Sequence, residues 1–104
     1  MDKKSIRIAK EFGKRLKNKF NVGGLILFGS RAREDFFSSS DFDFILISED
    51  FEKIPFIFRA SKIFDYWNQK EDLEILCYTP KEFEKIKNKI GIVNTATKEG
   101  IKIF

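Results

Sequence analysis

Residues 41 to 47 read Asp-Phe-Asp-Phe-Ile-Leu-Ile, and no other segment leaves so little choice of structure. Side chains alternate between the two faces of a strand. The first half therefore sends Asp41 and Asp43 to one side and Phe42 and Phe44 to the other. The second half, Phe44 to Ile47, is apolar on both faces and belongs inside a sheet with helices packed against it. It is far too short to cross a bilayer.

The flanking sequence supplies the rest of such a domain. Ile6, Ala9, Phe12, Gly13, Leu16 and Phe20 recur at spacings of three and four, the pattern of an amphipathic helix. Val22-Gly23-Gly24 reads as a break before a short apolar strand, Leu25 to Phe28, which runs into a Gly29-Ser30 turn. Ser30 can cap a short helix carrying Arg31, Ala32 and Arg33, and Ser38 to Ser40 marks a loop. Pro55 opens a helix with Phe56, Ala60, Ile63, Phe64 and Trp67 in one stripe. Ile57, Phe58 and Tyr66 make that helix apolar on more than one side, so 54–67 is a possible homodimer or partner contact as well as a wide core face. Leu73 to Tyr78 is a third strand, and Thr79-Pro80 starts a helix over 81–90 that turns Phe83, Ile86 and Ile90 inward and ends at Gly91. In the tail, Val93, Ala96 and Gly100 suit a short helix and 101–104 an edge strand. The order predicts one domain over 1–104, of α/β or α+β class, with helices on a small mixed sheet.

Composition narrows the chemistry. The chain contains no histidine, which removes Ser-His-Asp and Cys-His catalysis and imidazole metal sites. A single cysteine, Cys77, can form neither an intrachain disulfide nor a multi-thiolate zinc site, and no secretory signal pattern opens the chain, so a reducing cytoplasmic setting is expected. Residues 2–19 hold eight bases and two acids. That cluster could meet phosphate, but it coincides with the first amphipathic helix and reads more simply as a solvated face.

Two strand ends carry the chemical signal. Asp41 and Asp43 lie two residues apart and so share one face, with Cα atoms about 6.6 Å apart. Carboxylates so spaced can share a hard divalent cation such as Mg²⁺, which prefers oxygen ligands and commonly also binds substrate phosphates. A two-metal site asks for a further anionic ligand. Glu74, a lone acid at the head of an otherwise apolar strand, is placed for this, with Asp72 as the competing choice. Gly29 permits close backbone approach to a ligand, the Ser30 hydroxyl is a donor for phosphate oxygens, and Arg31 and Arg33 bring positive charge, one of them expected to face the site. Either element alone is common. Together they are hard to explain structurally, because two in-phase acids at a buried strand head are costly unless paired or metal-bound.

Leu27-Phe28-Gly29-Ser30-Arg31-Ala32-Arg33 followed by Ser40-Asp41-Phe42-Asp43 resembles the motif of the minimal, or MNT-type, nucleotidyltransferases of the DNA polymerase beta-like superfamily, and 73–83 is similar to that family's third strand and following helix. The resemblance spans most of residues 22–104. It implies a small mixed sheet with flanking helices, two Mg²⁺ ions held by Asp41, Asp43 and Glu74, and a nucleoside triphosphate, ATP in the leading case, contacted by Gly29 and Ser30 with Arg31 and Arg33 beside them. It further implies transfer of a nucleoside monophosphate to an acceptor hydroxyl. Proteins of this type resemble the antitoxin half of paired MNT and HEPN systems, so the expected acceptor is a tyrosine of a helical HEPN-type toxin. A second expectation is an interaction module that neutralises a partner by binding alone, since Glu34 stands where the family often has glycine. Transfer to a nucleic acid or an antibiotic is disfavoured, because no aromatic-studded basic groove is evident.

Overall fold

The computed structural model describes residues 3–33 and 41–104. β2 (Phe42–Ser48) runs inside a four-stranded mixed sheet of order β3-β2-β1-β4. It pairs antiparallel with β1 (Val22–Phe28) and parallel with β3 (Leu73–Tyr78), and β4 (Ile101–Lys102) pairs antiparallel with β1. Helices α1 (Lys3–Lys17), α2 (Ser30–Arg33), α3 (Phe56–Ile63), α4 (Pro80–Ile86) and α5 (Ile92–Glu99) flank the sheet. This is the α+β architecture expected from the strand and helix pattern. None of the described helices is long and apolar enough to cross a membrane.

The alternation in β2 sorts the molecule into two cores. Phe42, Phe44 and Leu46 face Phe12 and Leu16 of α1, Ile63 of α3 and the Trp67 ring. Phe12 sits 5.2 Å from Phe44 and 5.0 Å from Trp67, and the ring planes are tilted or edge-on, as aromatic quadrupoles prefer. On the opposite face Ile45 meets Val93 and Ala96 of α5, with Ile26, Leu76 and Phe83 packed around them. A slip of one residue in β2 would put three large apolar groups on the wrong side.

Polar anchors secure the edge at β3. Thr79 and Glu82 form a reciprocal capping box at the start of α4. Buried Arg59 of α3 donates to both Glu82 carboxylate oxygens (2.6 and 3.1 Å), to the Ile54 carbonyl (2.8 Å) and to the Cys77 carbonyl on the outer edge of β3 (3.1 Å). The guanidinium therefore holds Glu82 below the ordinary carboxylate range and covers part of an edge that could otherwise recruit another strand.

Several local expectations differ. Val22 to Gly24 is not a break but the start of β1, where a register shift between Val22 and Gly24 absorbs the irregularity. Helix α4 stops at Ile86, so Ile90 is fully exposed rather than inward-facing, and Gly91 (φ +152°) precedes α5 instead of closing α4. Phe56, Ile57 and Phe58 of α3 are exposed, with Ile57 at 79%, so the wide core face is not realised. The predicted loop at 38–40 lies outside the described residues.

Truncating Phe12→Ala removes the ring that joins α1 to both Phe44 and Trp67. A loss of about 3–5 kcal/mol in unfolding free energy is expected, measurable by urea denaturation as a lower midpoint at unchanged slope.

Candidate active site

Phe28, Asp43 and Glu74 lie side by side across three strands, since Asp43 is the register partner of Phe28 on β1 and of Glu74 on β3. Register partners share a face and neighbouring strands lie about 4.8 Å apart, so the two acids are forced together. Their side of the sheet is the one carrying the smaller core and α5. Gly29 turns there with φ +73°, and a Cβ built on it would run into the Asp43 carboxylate. Glycine is required twice over, for the left-handed backbone and for room beside Asp43.

These groups open onto a cavity of about 410 Å³ lined by Gly29, Ser30, Arg33, Asp43 and Glu74, with α5 as its far wall. A second recess of about 480 Å³ adjoins it and is lined by Asp41, Asp72, Glu74, Phe64 and Trp67. Glu74 is common to both.

Burial, a side-chain hydrogen bond with Glu74 and the negative charges of Glu74 and Asp41 push the Asp43 carboxyl up to about 7, against the partial relief of nearby Arg33. Near neutrality, then, Asp43 still holds its proton in part, because burial and the neighbouring negative charges both disfavour its ionised form.

Each residue singled out in the sequence has a definite place. Gly29, Ser30, Arg33, Asp43 and Glu74 meet at one cavity. Asp41 precedes β2 and opens into the adjoining recess, close enough for its charge to act on Asp43. Glu74, rather than Asp72, is the acid in register with Asp43. Arg31 departs from the expectation of nucleotide contact. It is 3% exposed, its guanidinium lies 4.3 Å from the Phe42 ring centroid, and it donates to Ser5 Oγ (3.2 Å) and pairs with Glu71 (3.7 Å). At successive odd positions of one short helix turn only Arg33 reaches the cavity. Cys77 is also excluded from chemistry, since burial pushes its thiol up to about 12.

Among the described residues no three Asp, Glu or Cys side chains are gathered tightly enough, as they stand, to ring one cation. The donor chemistry nevertheless suits a divalent ion. Asp43, which keeps its proton up to about pH 7 beside the Glu74 carboxylate and in the field of Asp41, would exchange that proton for a hard cation.

The sequence reading anticipated a short helix at α5 but missed its place at the cavity. Ile92, Thr95, Ala96 and Glu99 contribute the cavity's far wall. The available signal was Thr95 and Glu99 at helical spacing opposite the apolar pair Val93 and Ala96.

The sequence of residues 8–103 matches the family model described as a nucleotidyltransferase domain. No curated protein matches the sequence. Among solved structures, a candidate nucleotidyltransferase from Sulfolobus solfataricus superposes with a TM-score of 0.66 at 18% identity, over 95% of this chain and 78% of the other. Two Arabidopsis thaliana structures share the fold at lower similarity: BolA1 (TM-score 0.58, 16% identity, 72% of this chain and 94% of the other) and the BolA domain of SufE1 (0.56, 17%, 79% and 98%). At these identities the likeness is one of fold.

The sign of the Asp43 effect is testable. Its folded value of about 7 exceeds the ordinary 3.8, so the folded chain holds a proton that the unfolded chain releases. This group's contribution to stability is full below the ordinary value and is lost as pH rises toward about 7. With divalent ions chelated, the Tm of Asp43→Asn minus that of the parent should grow across this window and level off above it. A difference that stays flat from pH ~4 to ~8 would show that Asp43 ionises normally.

Proposed function

Because the chain belongs to the nucleotidyltransferase domain family, we propose that it moves AMP from ATP onto a hydroxyl, with Mg²⁺ as cofactor and a tyrosine of a HEPN-type toxin as acceptor. The observation that carries this reading is the pair of recesses meeting at Glu74. One has the features a triphosphate needs, namely Gly29, Ser30 and Arg33 beside a carboxylate pair. The other sets Asp41 and Glu74 against Phe64 and Trp67, a surrounding suited to an aromatic ring that bears a hydroxyl.

Asp43 and Glu74, with Asp41 from the adjoining recess, would hold the two cations. Bound Mg²⁺ supplies charge neutralisation at the phosphoryl oxygens. Gly29 lets the phosphates approach the backbone, Ser30 donates to them, and Arg33 orients them by a forked contact. The acceptor oxygen forms its bond to the α-phosphorus as the bond to pyrophosphate breaks. Its proton passes to Glu74, the acid that lines both recesses. Most of the acceleration comes from positioning and electrostatics, as in other phosphoryl transfers.

In this reading the chain is an antitoxin that silences its partner by modification. A second reading, silencing by binding alone, draws on the exposed apolar face of α3, where Phe56, Ile57, Phe58 and Phe64 stand open to a partner or to a second copy.

Incubation of a helical HEPN partner with this chain, ATP and Mg²⁺ should raise the partner's intact mass by one AMP, mapped to a tyrosine. Asp43→Asn and Asp41→Asn should each cut transfer by roughly a thousandfold with unchanged circular dichroism. If no nucleotide shifts the mass, and the double variant still silences the partner, binding is the mechanism instead.

A further inference from the structure

The cavity at Asp43 is unevenly charged. Arg33 is the only cation among its described lining residues, and it lies with Gly29 and Ser30 at one side. The other side is helix α5, which presents the Thr95 hydroxyl and the Glu99 carboxylate, one helical turn apart on one face. Within the described residues neither side chain has a hydrogen bond or ion pair. Ile92 and Ala96 stand beside them as apolar wall.

This side of the cavity is held firmly. A Cβ on Gly100 would come within 2.8 Å of both the Leu27 carbonyl oxygen and Ile26 Cγ2, so the end of α5 lies directly on β1. The next residue, Ile101, pairs with Leu27 in the sheet. Glu99 is therefore followed directly by a close-packed glycine and a paired strand, and its carboxylate is presented from a rigid base.

Charge decides what can sit there. A phosphate beside Glu99 would meet a third carboxylate in a cavity that already holds Asp43 and Glu74. An uncharged donor would not. A carboxylate can accept both hydrogens of a vicinal diol, a neighbouring threonine hydroxyl adds a third contact, and an apolar wall suits the face of a base.

From these observations we infer that Thr95 and Glu99 form the ribose subsite, accepting from the sugar hydroxyls of the nucleotide while its phosphates lie toward Arg33. The chain then selects ribonucleotides over 2′-deoxyribonucleotides. This rests on the nucleotidyl-transfer reading and adds a specificity that the reading does not itself require.

Calorimetric titration of the full chain with ATP, 2′-deoxy-ATP and inorganic tripolyphosphate in Mg²⁺ tests it. The parent should bind ATP about tenfold more tightly than 2′-deoxy-ATP, the loss expected when a charged acceptor is left without its donor. Glu99→Gln should weaken ATP to within about threefold of 2′-deoxy-ATP, Thr95→Val should do so in part, and tripolyphosphate affinity should stay unchanged in both. Because both side chains are exposed, thermal melts of the variants should match the parent. Equal affinity of the parent for the two nucleotides, or discrimination that survives Glu99→Gln, overturns the subsite while leaving nucleotidyl transfer standing. If the parent binds neither nucleotide, both proposals fall together.

Discussion

The register of β2 is the constraint on which everything else rests. Its two neighbours fix it independently, β1 by antiparallel pairing and β3 by parallel pairing, and both put Asp43 in one row with Phe28 and Glu74. Because the side-chain period of a strand is two, moving this strand by one position would exchange the acids for Phe42 and Phe44. Each apolar group buried on the α1 side therefore also helps to hold a carboxylate in the cavity on the α5 side. Stabilising the core and building the site are one event in this sheet.

The aromatic side has a second role through Arg31. Its guanidinium rests on the Phe42 ring and reaches Ser5 of α1 and Glu71 just before β3. It thereby ties α2 to the starts of β2 and β3, the two strands that carry Asp43 and Glu74. A residue whose charge suggested phosphate contact instead steadies the turn that makes such contact possible. Arginine suits this better than lysine would, because its flat cation can stack on a ring and donate along its edge at once. Arg33, two positions on, lines the cavity, where its charge acts on Asp43.

What could be read from the sequence follows from what is local. The alternation from Phe42 to Phe44, the apolar run after it, the Gly29-Ser30 turn and the Thr79-Pro80 helix start are short-range patterns, and each lies where its own chemistry puts it; Asp41, one residue ahead of the strand, opens into a different recess from Asp43. Helix ends were harder. Nothing between Ile86 and Gly91 forbids a helix, yet α4 ends once Phe83 and Ile86 have met the sheet, and Ile90 is left in water. The partition between Arg31 and Arg33, and the arrival of α5 over the cavity, depend on long-range packing. Thr95 and Glu99 are unremarkable as sequence; only the pairing of β4 with β1 brings them opposite Gly29.

A backbone plan does not by itself fix a chemistry, so function must be argued from side chains. The decisive ones are costly to the fold. Burial and the neighbouring acids hold Asp43 well above its ordinary range, so at neutral pH the folded state bears a penalty that an amide or a small hydroxyl at the same position would avoid. Gly29 compounds this by giving up backbone rigidity to leave room for the same carboxylate. Neither choice makes sense for a chain selected for stability alone. Both fit the proposed function, in which a bound cation would relieve the crowding of negative charge, because a group that is strained when empty is relaxed when its partner binds, and that difference is available to hold the partner in place.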